Sequence, residues 1–572
     1  MRRNIVLAIT LCAGLVLLPG TADAGARFTF YGSGWGHGIG LSQWGTQGLA
    51  TKGWGAARIV QHYYRGTTVA QRTPPAKRFR IGLLQYEGTI VLRAEQGSFR
   101  LELASGRLLS RAAAGTTRKI QIRRINGRDV YRIRNASGRL LAQGGSPSNH
   151  LLAMRGSGAV IRVMDGGWPH MIGRGSLQFN IVGFEAAHLI AIVPAEAYLF
   201  GLAEVPSSWD TDALEAQAIA ARSYAWEKIA RLGQMRSGCN CGLFATVVDQ
   251  VFVGWDKEVA TGGDRWVAAV RNSSRKVGLR DGATIQAYYS SASGGHTENN
   301  EVVWGGSAVS YLRGVCDPAE YDITSASDST RILESWSAGF GASGVTSRLR
   351  LGIGTVQDFR NFVRGVSGRV KSVTVVGSNG SAVVPGWTVR TRLGLRDTRF
   401  WVNSNRNITG RIRQAYDNLS CKPGIAAGPQ RSITGGRFQG FAHGRLYFHS
   451  ARDVVPWIRG AILTKYIATG AHAGLLDLPY RWRTIDGGAG RRAWFDKGQI
   501  LWKTSRAEAF EIHGPVLSHY LGNGSFSSYG YPITDVQAPD ALTRQSDFQK
   551  GVQLRSIVCT RPNTSTTTWS CS

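Results

Sequence analysis

Residues 198–226, YLFGLAEVPSSWDTDALEAQAIAARSYAW, determine how the central region of the chain folds. Asp210 and Asp212 can start a helix, the apolar residues that follow keep helical spacing, and Gly233 can end it. The stretch therefore predicts a helix over 210–231. A second face of this helix carries small residues that let another element approach closely, namely Ala213, Ala216 and Ala220.

The sequence upstream of this helix has the pattern of strands. Residues 79–195 alternate apolar and polar positions between frequent Gly and Asn turns, which predicts antiparallel β structure. Residues 265–277 predict a weaker helix. We therefore expect an α+β fold with a mainly antiparallel β core, a few helices and a separate β-rich repeat domain.

The composition is that of a folded and strongly basic protein. The 572 residues are 43% hydrophobic, which suits large cores and excludes wholesale disorder. The 68 Lys and Arg residues against 37 Asp and Glu give a formal net charge of +31. This charge favours encounter with polyanions, although well-solvated arginines of a basic proteome would give the same count.

The first 24 residues have the three parts of a secretory signal peptide: a basic start at Arg2 and Arg3, an apolar run over 5–18 and an A-x-A site over 22–24. Cleavage is predicted after Ala24. The alternative is a membrane anchor, but the apolar run is shorter than the roughly 20 residues that span a bilayer. Export makes nucleic acid an unexpected partner and favours anionic wall polymers instead.

The cysteines predict disulfides. Cys12 lies in the signal peptide, and an even number of cysteines in the exported chain predicts up to three bridges. Cys559 and Cys571 are expected to close a terminal loop. The other four are expected to pair among themselves: Cys239, Cys241, Cys316 and Cys421. A direct bridge from Cys239 to Cys241 is not expected, because its ring is small and strained.

A glycine-rich aromatic block occupies residues 26–70 and precedes a linker at 71–78. Its Phe, Tyr and Trp side chains would be an aggregation liability if they were exposed. We therefore expect this block to dock on the core region, which is placed at 77–425.

A repeat domain is predicted at 435–572. Phe441-x-x-Gly444 recurs as Phe495-x-x-Gly498 and begins a third time at Phe548, at an offset of 54 residues that slips to 53. A fixed period of this length indicates stacked structural repeats, and each copy starts with a strand-like stretch.

Two further segments accompany 198–226, namely DQVFVGW at 249–255 and YYSSASGGHTENNEVVWGG with a later YLRGV at 288–315. Together the three resemble the SpoIID/LytB family, named after stage II sporulation protein D and the amidase enhancer LytB. Residues 26–70 are similar to the family's GWGHG segment, which often follows the core and here precedes it. The C-terminal array resembles LGFP repeats, found on wall-associated proteins of actinobacteria.

The resemblance implies a lytic transglycosylase that cleaves peptidoglycan, with Glu204 as the acid/base of the family's E-x-P motif. Such an enzyme needs one carboxyl group, which protonates the leaving oxygen and then takes the proton of the sugar's C6 hydroxyl, closing a 1,6-anhydro ring. Desolvation would raise the pKa of Glu204 in a cleft walled by Tyr198, Leu199, Val205 and Trp209. Judged without the resemblance, Glu204 is a solvated turn residue at a helix start.

The resemblance also implies contacts to substrate from the helix and from the glycine-rich loop. Gln217 and Arg222 match the helix signature, and Arg222 is expected to hold a peptidoglycan carboxylate or Glu204, with a structural ion pair as the alternative. The loop residues are expected to make polar contacts in the cleft or to shape the loop by hydrogen bonds: Ser290, Ser291, Thr297 and Glu298.

Trp35 and His37 lie in the glycine-rich stretch GWGHGIG at 34–40. Glycine lets the backbone approach a ligand closely, so both residues are expected to line the cleft, with Trp35 stacking on a sugar face. The alternative is a glycine-rich tether that packs on the core through its aromatic residues.

No metal or cofactor is expected. Some relatives carry a Cys/His zinc cluster after the helix, but that interval here offers only Cys239 and Cys241, and zinc requires at least three protein ligands. The chain departs from the family pattern in two further places, where Val205 replaces Met and Glu215 replaces Lys.

Two functions are compatible with these sequence features. The first is a secreted, cell-wall-associated lytic transglycosylase that acts on peptidoglycan glycan strands, which the retention of Glu204 favours. The second is a non-catalytic wall-binding protein that stimulates a cell-wall amidase. A simple wall adhesin would leave the core motifs unexplained.

Overall fold

The computed structural model describes residues 26–164, 167–236, 238–321 and 335–572. The predicted signal peptide at 1–24 lies outside the described residues. Helices and mainly antiparallel sheets make up the described chain, so the predicted α+β class is confirmed. Among the described helices, none has the length and apolarity required to cross a membrane.

The helices are short, with one exception that contains the motif stretch. In chain order the described helices are Gln43–Thr51, Ala56–Tyr63, Ala195–Phe200, Thr211–Leu232, Trp255–Val259, Gly263–Asn272, Asn300–Val303, Ala342–Leu349, Gly386–Leu393, Gly410–Asn418, Gly460–Ala468, Gly514–Gly522 and Ser525–Tyr529.

The helix Thr211–Leu232 is the predicted central helix. The Asp210 carboxylate caps it by accepting a hydrogen bond from the Asp212 N–H at 3.0 Å, and Gly233 ends it with φ of +73°. Its small-residue face is fully buried, and the helix packs against Gln43–Thr51, Ala56–Tyr63 and Gly263–Asn272. The alanines therefore admit three neighbouring helices, as the spacing indicated.

Two large sheets form the β core upstream of this helix. One has the strand order Leu243–Phe244, Arg78–Glu87, Ala186–Pro194, Ser176–Gly183, Leu151–Arg155, Phe99–Leu103 and Leu108–Ala112. The other has the order Leu140–Gly144, Arg128–Arg134, Thr117–Ile125, Thr89–Gln96, Val160–Val163 and Met171–Ile172. Apart from the parallel Leu243–Phe244 pairing, the paired strands are antiparallel.

The block 26–70 contributes strands to three different sheets. Arg27–Gly32 lies between Trp336–Gly341 and Phe400–Val402, Leu41–Ser42 pairs with Tyr289–Ser290, and Thr68–Gln71 pairs with Lys276–Arg280, which also pairs with Ala283–Thr284. Residues from Ile39 to Tyr64 join the central hydrophobic core, whereas Phe28 and Phe30 join a second core. The block thus lies between two packed bodies of the chain.

Apart from Phe28 and Phe30, the second core is made by residues 336–402. It holds the sheet Val356–Arg364, Val370–Gly377 and Gly380–Pro385, and the helices Ala342–Leu349 and Gly386–Leu393. Arg369 and Asp397 form a fully buried ion pair at 2.8 Å, and Arg369 also donates to the carbonyl oxygen of Ser293. This pair joins the second core to the glycine-rich loop of the first.

The C-terminal region consists of three four-stranded units. Their strands are Arg431–Ile433, Gly436–Phe441, Gly444–His449 and Trp457–Ile458; then Pro479–Ile485, Gly490–Phe495, Gly498–Lys503 and Phe510–His513; then Tyr531–Pro532, Thr543–Lys550, Gln553–Thr560 and Ser570–Cys571. A helix follows each of the first two units, Gly460–Ala468 and Gly514–Gly522, and these two start 54 residues apart.

The disulfides are Cys239–Cys241, Cys316–Cys421 and Cys559–Cys571. The predicted terminal loop is confirmed, but the exclusion of a bridge between Cys239 and Cys241 was wrong. Asn240 adopts φ of +53°, a left-handed conformation that asparagine tolerates, and the two Cα atoms lie 5.1 Å apart, within the usual disulfide range.

Candidate functional site

A cleft of about 650 Å³ opens where the central helix region, the block 26–70 and the second core meet. Its lining comes from all three parts, including Trp35, His37, Glu204, Tyr289, Ser290 and Arg390. Glu204 and Asp249 are the carboxylates among its lining residues. The cleft is therefore assembled from segments far apart in the sequence.

The glycine-rich stretch at 34–40 reaches the cleft because two of its positions leave no room for a side chain. Gly36 and Gly38 have φ of +128° and +70°. A Cβ on Gly36 would lie 2.4 Å from the Ser290 Cβ, and one on Gly38 would lie 2.0 Å from the Arg369 guanidinium carbon. Glycine is thus required on both sides of His37, and the backbone carries that ring into the cleft.

Glu204 lies at the foot of the cleft, where several donors surround its carboxyl group. The Val251 N–H donates to Oε1 at 2.7 Å, and the side chains of Tyr289 and Gln43 also hydrogen-bond the carboxyl group. Desolvation raises the pKa of Glu204 above its usual value, and these hydrogen bonds oppose the rise. The group is therefore an acid held in partly apolar surroundings, with donors ready to stabilise its ionised form.

A chain of buried hydrogen bonds leads through Tyr289 to Glu204. The Tyr198 hydroxyl donates to Gln250 Oε1 at 2.9 Å, and Gln250 Nε2 donates to the Tyr289 hydroxyl at 2.7 Å. Because Tyr289 accepts from Gln250, its own proton is free to be donated to Glu204. Gln250 therefore fixes the direction in which Tyr289 donates.

Asp249, the other carboxylate of the cleft, is held by ion pairs. Its side chain is fully buried and contacts Lys228, Arg236, the Tyr224 hydroxyl and the Phe244 N–H. Burial would raise the pKa of Asp249, but the hydrogen bonds from Lys228, Phe244 and Tyr224 and the charge of Lys228 together outweigh it and hold the pKa below its usual value. Asp249 is thus an ionised structural group and a poor proton donor.

His37 is a neutral histidine at physiological pH. Desolvation, with the nearby Arg390 and Arg369 charges, lowers its pKa to about 3. Its Nδ1 accepts a hydrogen bond from the Ile39 N–H at 3.0 Å, and its ring lies 5.0 Å from that of Trp304. His37 therefore serves as a polar aromatic wall and cannot act as a cationic acid.

An aromatic wall continues from His37 along one side of the cleft. Tyr288 and Trp304 have ring centroids 4.8 Å apart, and Trp387 follows 6.5 Å from Trp304. Trp35 is 47% exposed at the mouth, and the Arg396 guanidinium lies 4.4 Å above its ring. Flat aromatic faces beside a carboxylic acid suit a sugar chain, whose C–H faces pack on rings.

The structure places four of the predicted residues at the cleft besides Glu204: Trp35, His37, Ser290 and Ser291. Ser290 Oγ also accepts a hydrogen bond from the Gly38 N–H at 3.2 Å, which ties the two loops together. The residues expected to wall Glu204 do not line the cleft but are buried in the core: Tyr198, Leu199, Val205 and Trp209. Tyr289, Val251 and Gln43 surround the carboxyl group instead.

The structure does not bring Gln217, Arg222, Thr297 or Glu298 to the cleft. Gln217 is 1% exposed within the helix packing. Arg222 is fully buried and binds both carboxylate oxygens of Glu196, at 2.9 and 3.0 Å, so its contacts are those of the structural ion pair. Neither side chain lines the cleft, since both are buried in the core.

Thr297 and Glu298 shape the loop instead of lining the cleft. Thr297 Oγ1 accepts from the Val315 N–H at 2.8 Å. Glu298 is fully buried and accepts from the hydroxyl and the N–H of Ser367, at 2.6 and 3.0 Å. Glu298 therefore attaches the glycine-rich loop to the second core.

Two buried acidic residues, Asp317 and Glu320, contact the glycine-rich loop at Ser293. The Ser293 hydroxyl oxygen lies within hydrogen-bond distance of both carboxyl groups, 2.9 Å from Asp317 and 2.7 Å from Glu320, which brings these groups close together. The Tyr63 hydroxyl donates to Asp317 at 2.9 Å. Burial and mutual repulsion raise the pKa of Glu320, so the pair favours a shared proton over two negative charges.

Sequence reasoning missed the contributions of Tyr289, Gln250, Trp387 and Arg390. Tyr289 and Gln250 stand inside quoted motifs, so their place in the pattern was an available signal. Trp387 and Arg390 belong to the helix Gly386–Leu393 of the second core, and only long-range packing brings them to the cleft.

The residues between the central helix and the second motif do not fit a zinc ion. Cys239 and Cys241 are joined to each other, and no histidine lies in that interval. Elsewhere in the described ranges, no cluster of three or more His, Cys, Asp or Glu side chains could hold a metal.

Two segments of the sequence match models of known protein families. The SpoIID model, described as stage II sporulation protein, matches residues 185–278, and the LGFP repeat model matches residues 424–474. The first match contains Glu204, the central helix and Gln250. The resemblance inferred from the motifs is thus confirmed.

Curated relatives match the same region. Stage II sporulation protein D of Bacillus amyloliquefaciens is 29% identical over 140 residues, which cover 23% of this chain and 40% of that protein. The amidase enhancer of Bacillus subtilis (strain 168) is 36% identical over 109 residues, which cover 19% of this chain and 13% of that protein. The chain thus spans less than half the length of the curated relatives it matches. Residues 185–278, which include Glu204, thus match the SpoIID model, and residues 424–474 match the LGFP repeat.

Proposed function

We propose that the protein is an exported lytic transglycosylase that cleaves peptidoglycan glycan strands with Glu204 as its acid/base. The observation that carries this proposal is the contrast between the two carboxylates of the cleft. The pKa of Glu204 is raised, whereas Asp249 is locked in ion pairs with Lys228 and Arg236. A cleft with one available carboxyl group suits intramolecular ring closure, since hydrolysis would require a second carboxylate.

The contacts of Glu204 fit both halves of this reaction. In the first half, the protonated carboxyl group gives its proton to the glycosidic oxygen, which a raised pKa favours near neutral pH. The resulting carboxylate is stabilised by the Val251 N–H and by Tyr289. In the second half, it removes the proton of the C6 hydroxyl as that oxygen attacks C1, which restores the acid and leaves a 1,6-anhydro end.

Attachment to the cell wall is the second part of the proposal. The LGFP repeat match at 424–474 and the strongly basic composition support association with anionic wall material. Three disulfides fit an oxidising compartment outside the cytoplasm, as the predicted signal peptide implies.

Stimulation of a cell-wall amidase is the alternative, and the relative named amidase enhancer favours it. In that case the cleft would bind glycan without breaking it. Glu204 would then contribute to binding alone, and the protein would produce no new glycan ends.

Replacing Glu204 tests the proposal. Glu204→Gln keeps the shape of the side chain but cannot move a proton, so release of soluble glycan should fall by about 10²–10⁴-fold. Glu215→Gln is a matched control, because it makes the same change on the central helix without lining the cleft. Equal cleavage by the Glu204→Gln variant and the wild type would exclude Glu204 as the acid/base.

A further inference from the structure

Two adjoining grooves lie where the first and second C-terminal units meet, far from the Glu204 cleft in sequence. One, of about 710 Å³, lies between the helix Gly410–Asn418 and the strand Trp457–Ile458, and the other, of about 590 Å³, lies over the helix Gly460–Ala468. Both grooves are lined by Arg459 and Trp482, so they form one continuous surface across these two side chains.

Arg459 lies between two indole rings at the centre of this surface. Its guanidinium carbon is 3.9 Å from the ring centroid of Trp457 and 5.0 Å from that of Trp482. The described structure gives this guanidinium no carboxylate partner and no hydrogen bond. Burial, together with the nearby Arg491 charge, lowers the pKa of Arg459, and a bound anion would relieve both effects.

The charged residues that line the two grooves are all basic. Lys422 and Arg481 line the larger groove, and Arg491 lines the smaller one, while no carboxylate side chain lines either. Arg411 also lines the larger groove, but it is paired with Asp453 at 2.8 Å. Positive charge is therefore concentrated around two half-buried indole rings.

The equivalent positions one repeat later show that the repeat fold does not require this chemistry. At an offset of 54 residues, Glu511 stands at the position of Trp457 and His513 at that of Arg459; at the later offset of 53, Asp535 stands at that of Trp482. Asp535 binds Lys465 of the first unit at 2.7 Å. One repeat later, the same fold thus carries carboxylates in place of both indoles and a histidine in place of the guanidinium.

We propose that this surface between the first and second units binds an anionic polysaccharide, with a sugar ring packed on Trp482 and a carboxylate or phosphate of the chain paired with Arg459. Indole faces suit the C–H face of a sugar, and a planar guanidinium suits an oxyanion bidentately. The inference rests on the proposed wall attachment, for which it names the site and the ligand chemistry, and it is independent of cleavage by Glu204.

Calorimetric titration of the full-length protein with hexagalacturonate, a sugar chain with one carboxylate on each residue, tests this site. Cellohexaose tests the sugar without charge, and a short polyphosphate tests charge without sugar. We expect hexagalacturonate to bind more tightly than either, and Arg459→Ala and Trp482→Ala each to weaken its binding by about tenfold or more. Arg437→Ala, which removes the same charge from an exposed position of the same unit outside both grooves, should leave binding unchanged.

Several results would overturn the proposal. One is equal affinity of Arg459→Ala and Arg437→Ala for hexagalacturonate, and another is polyphosphate binding as tight as hexagalacturonate binding. If thermal unfolding shows that Arg459→Ala is not folded, Arg459→Lys decides, because it keeps the charge and removes the planar stacking. Weaker binding by Arg459→Lys supports the site, and unchanged affinity refutes it. Because these probes are not wall material, failure here leaves the wall-attachment proposal to be judged by binding to sacculi.

Discussion

Removal of the Tyr289 hydroxyl should shift the pH range in which the protein is active. Tyr289 hydrogen-bonds the Glu204 carboxyl group and accepts its own hydrogen bond from Gln250 at 2.7 Å. A donor of this kind favours the ionised carboxylate and lowers its pKa. In Tyr289→Phe the donor is lost, so the pKa of Glu204 should rise further above its usual value.

The size of this shift follows from the strength of the hydrogen bond. A hydrogen bond to a charged group contributes about 1.5–3 kcal/mol, and one pKa unit corresponds to about 1.4 kcal/mol, so the shift should be about one to two units. Because cleavage starts with protonated Glu204, activity falls as the pH rises through the pKa of this group. The alkaline limb of kcat/KM should therefore move upward by about the same amount in Tyr289→Phe.

The assay is the release of soluble fragments from purified glycan strands, measured as kcat/KM between pH 4 and pH 9. Tyr198→Phe is the matched control, since it removes a buried hydroxyl that binds the far side of Gln250 and is not among the hydrogen-bond partners of Glu204. It leaves the Gln250 amide that donates to Tyr289 in place. Its alkaline limb should coincide with that of the wild type. An unmoved limb in Tyr289→Phe, or a limb moved to lower pH, would refute the assignment of Tyr289 as a donor to Glu204.

Two further predictions concern the parts of the chain that surround the cleft. Arg390→Ala should raise KM for glycan strands by about tenfold with little change in kcat. The reason is that the Arg390 guanidinium lines the cleft but does not hydrogen-bond Glu204. An unchanged KM in steady-state kinetics would contradict a contact between Arg390 and the substrate. Burial raises the pKa of Glu320, so the folded state keeps a proton at pH values where the unfolded state has released it. The free energy of unfolding therefore decreases as the pH rises above the pKa that Glu320 has in the unfolded state. Wild-type stability in denaturant titrations should therefore fall by about 1–3 kcal/mol between pH 5 and pH 8, and Glu320→Gln, which mimics the neutral acid, should show a smaller fall; parallel curves for both proteins would exclude Glu320 as the source.

The sequence predicted those elements whose signal is local. The helix over 210–231 needed only its spacing and its end residues, and the structure has it at Thr211–Leu232. The strands of 79–195 and the repeat period could be predicted in the same way, because the alternation of apolar and polar residues and the recurrence of a motif can be recognised within short stretches. The Cys239–Cys241 bridge was not, since it depends on a left-handed conformation of Asn240 that the residue types alone do not specify.

The candidate site was predictable in part for the same reason. Glu204, Ser290 and His37 were found because each lies in a motif string, and all three reach the cleft. Arg222 and Glu298 lie in the same strings, but their buried ion pair and loop contacts are tertiary facts that a one-dimensional motif cannot distinguish from substrate contacts. Arg390 has no motif around it, and only the packing of the second core brings it to the cleft.

Mass analysis of the products formed from intact peptidoglycan by the wild-type protein tests the central claim most directly. A transglycosylase that uses Glu204 alone transfers the C6 oxygen to C1, so each cut should leave a 1,6-anhydro end that is one water lighter than a hydrolysed reducing end. We expect such ends to accumulate with the wild type and to be absent with Glu204→Gln. Products that carry only ordinary reducing ends, or no new glycan ends at all, would contradict the account.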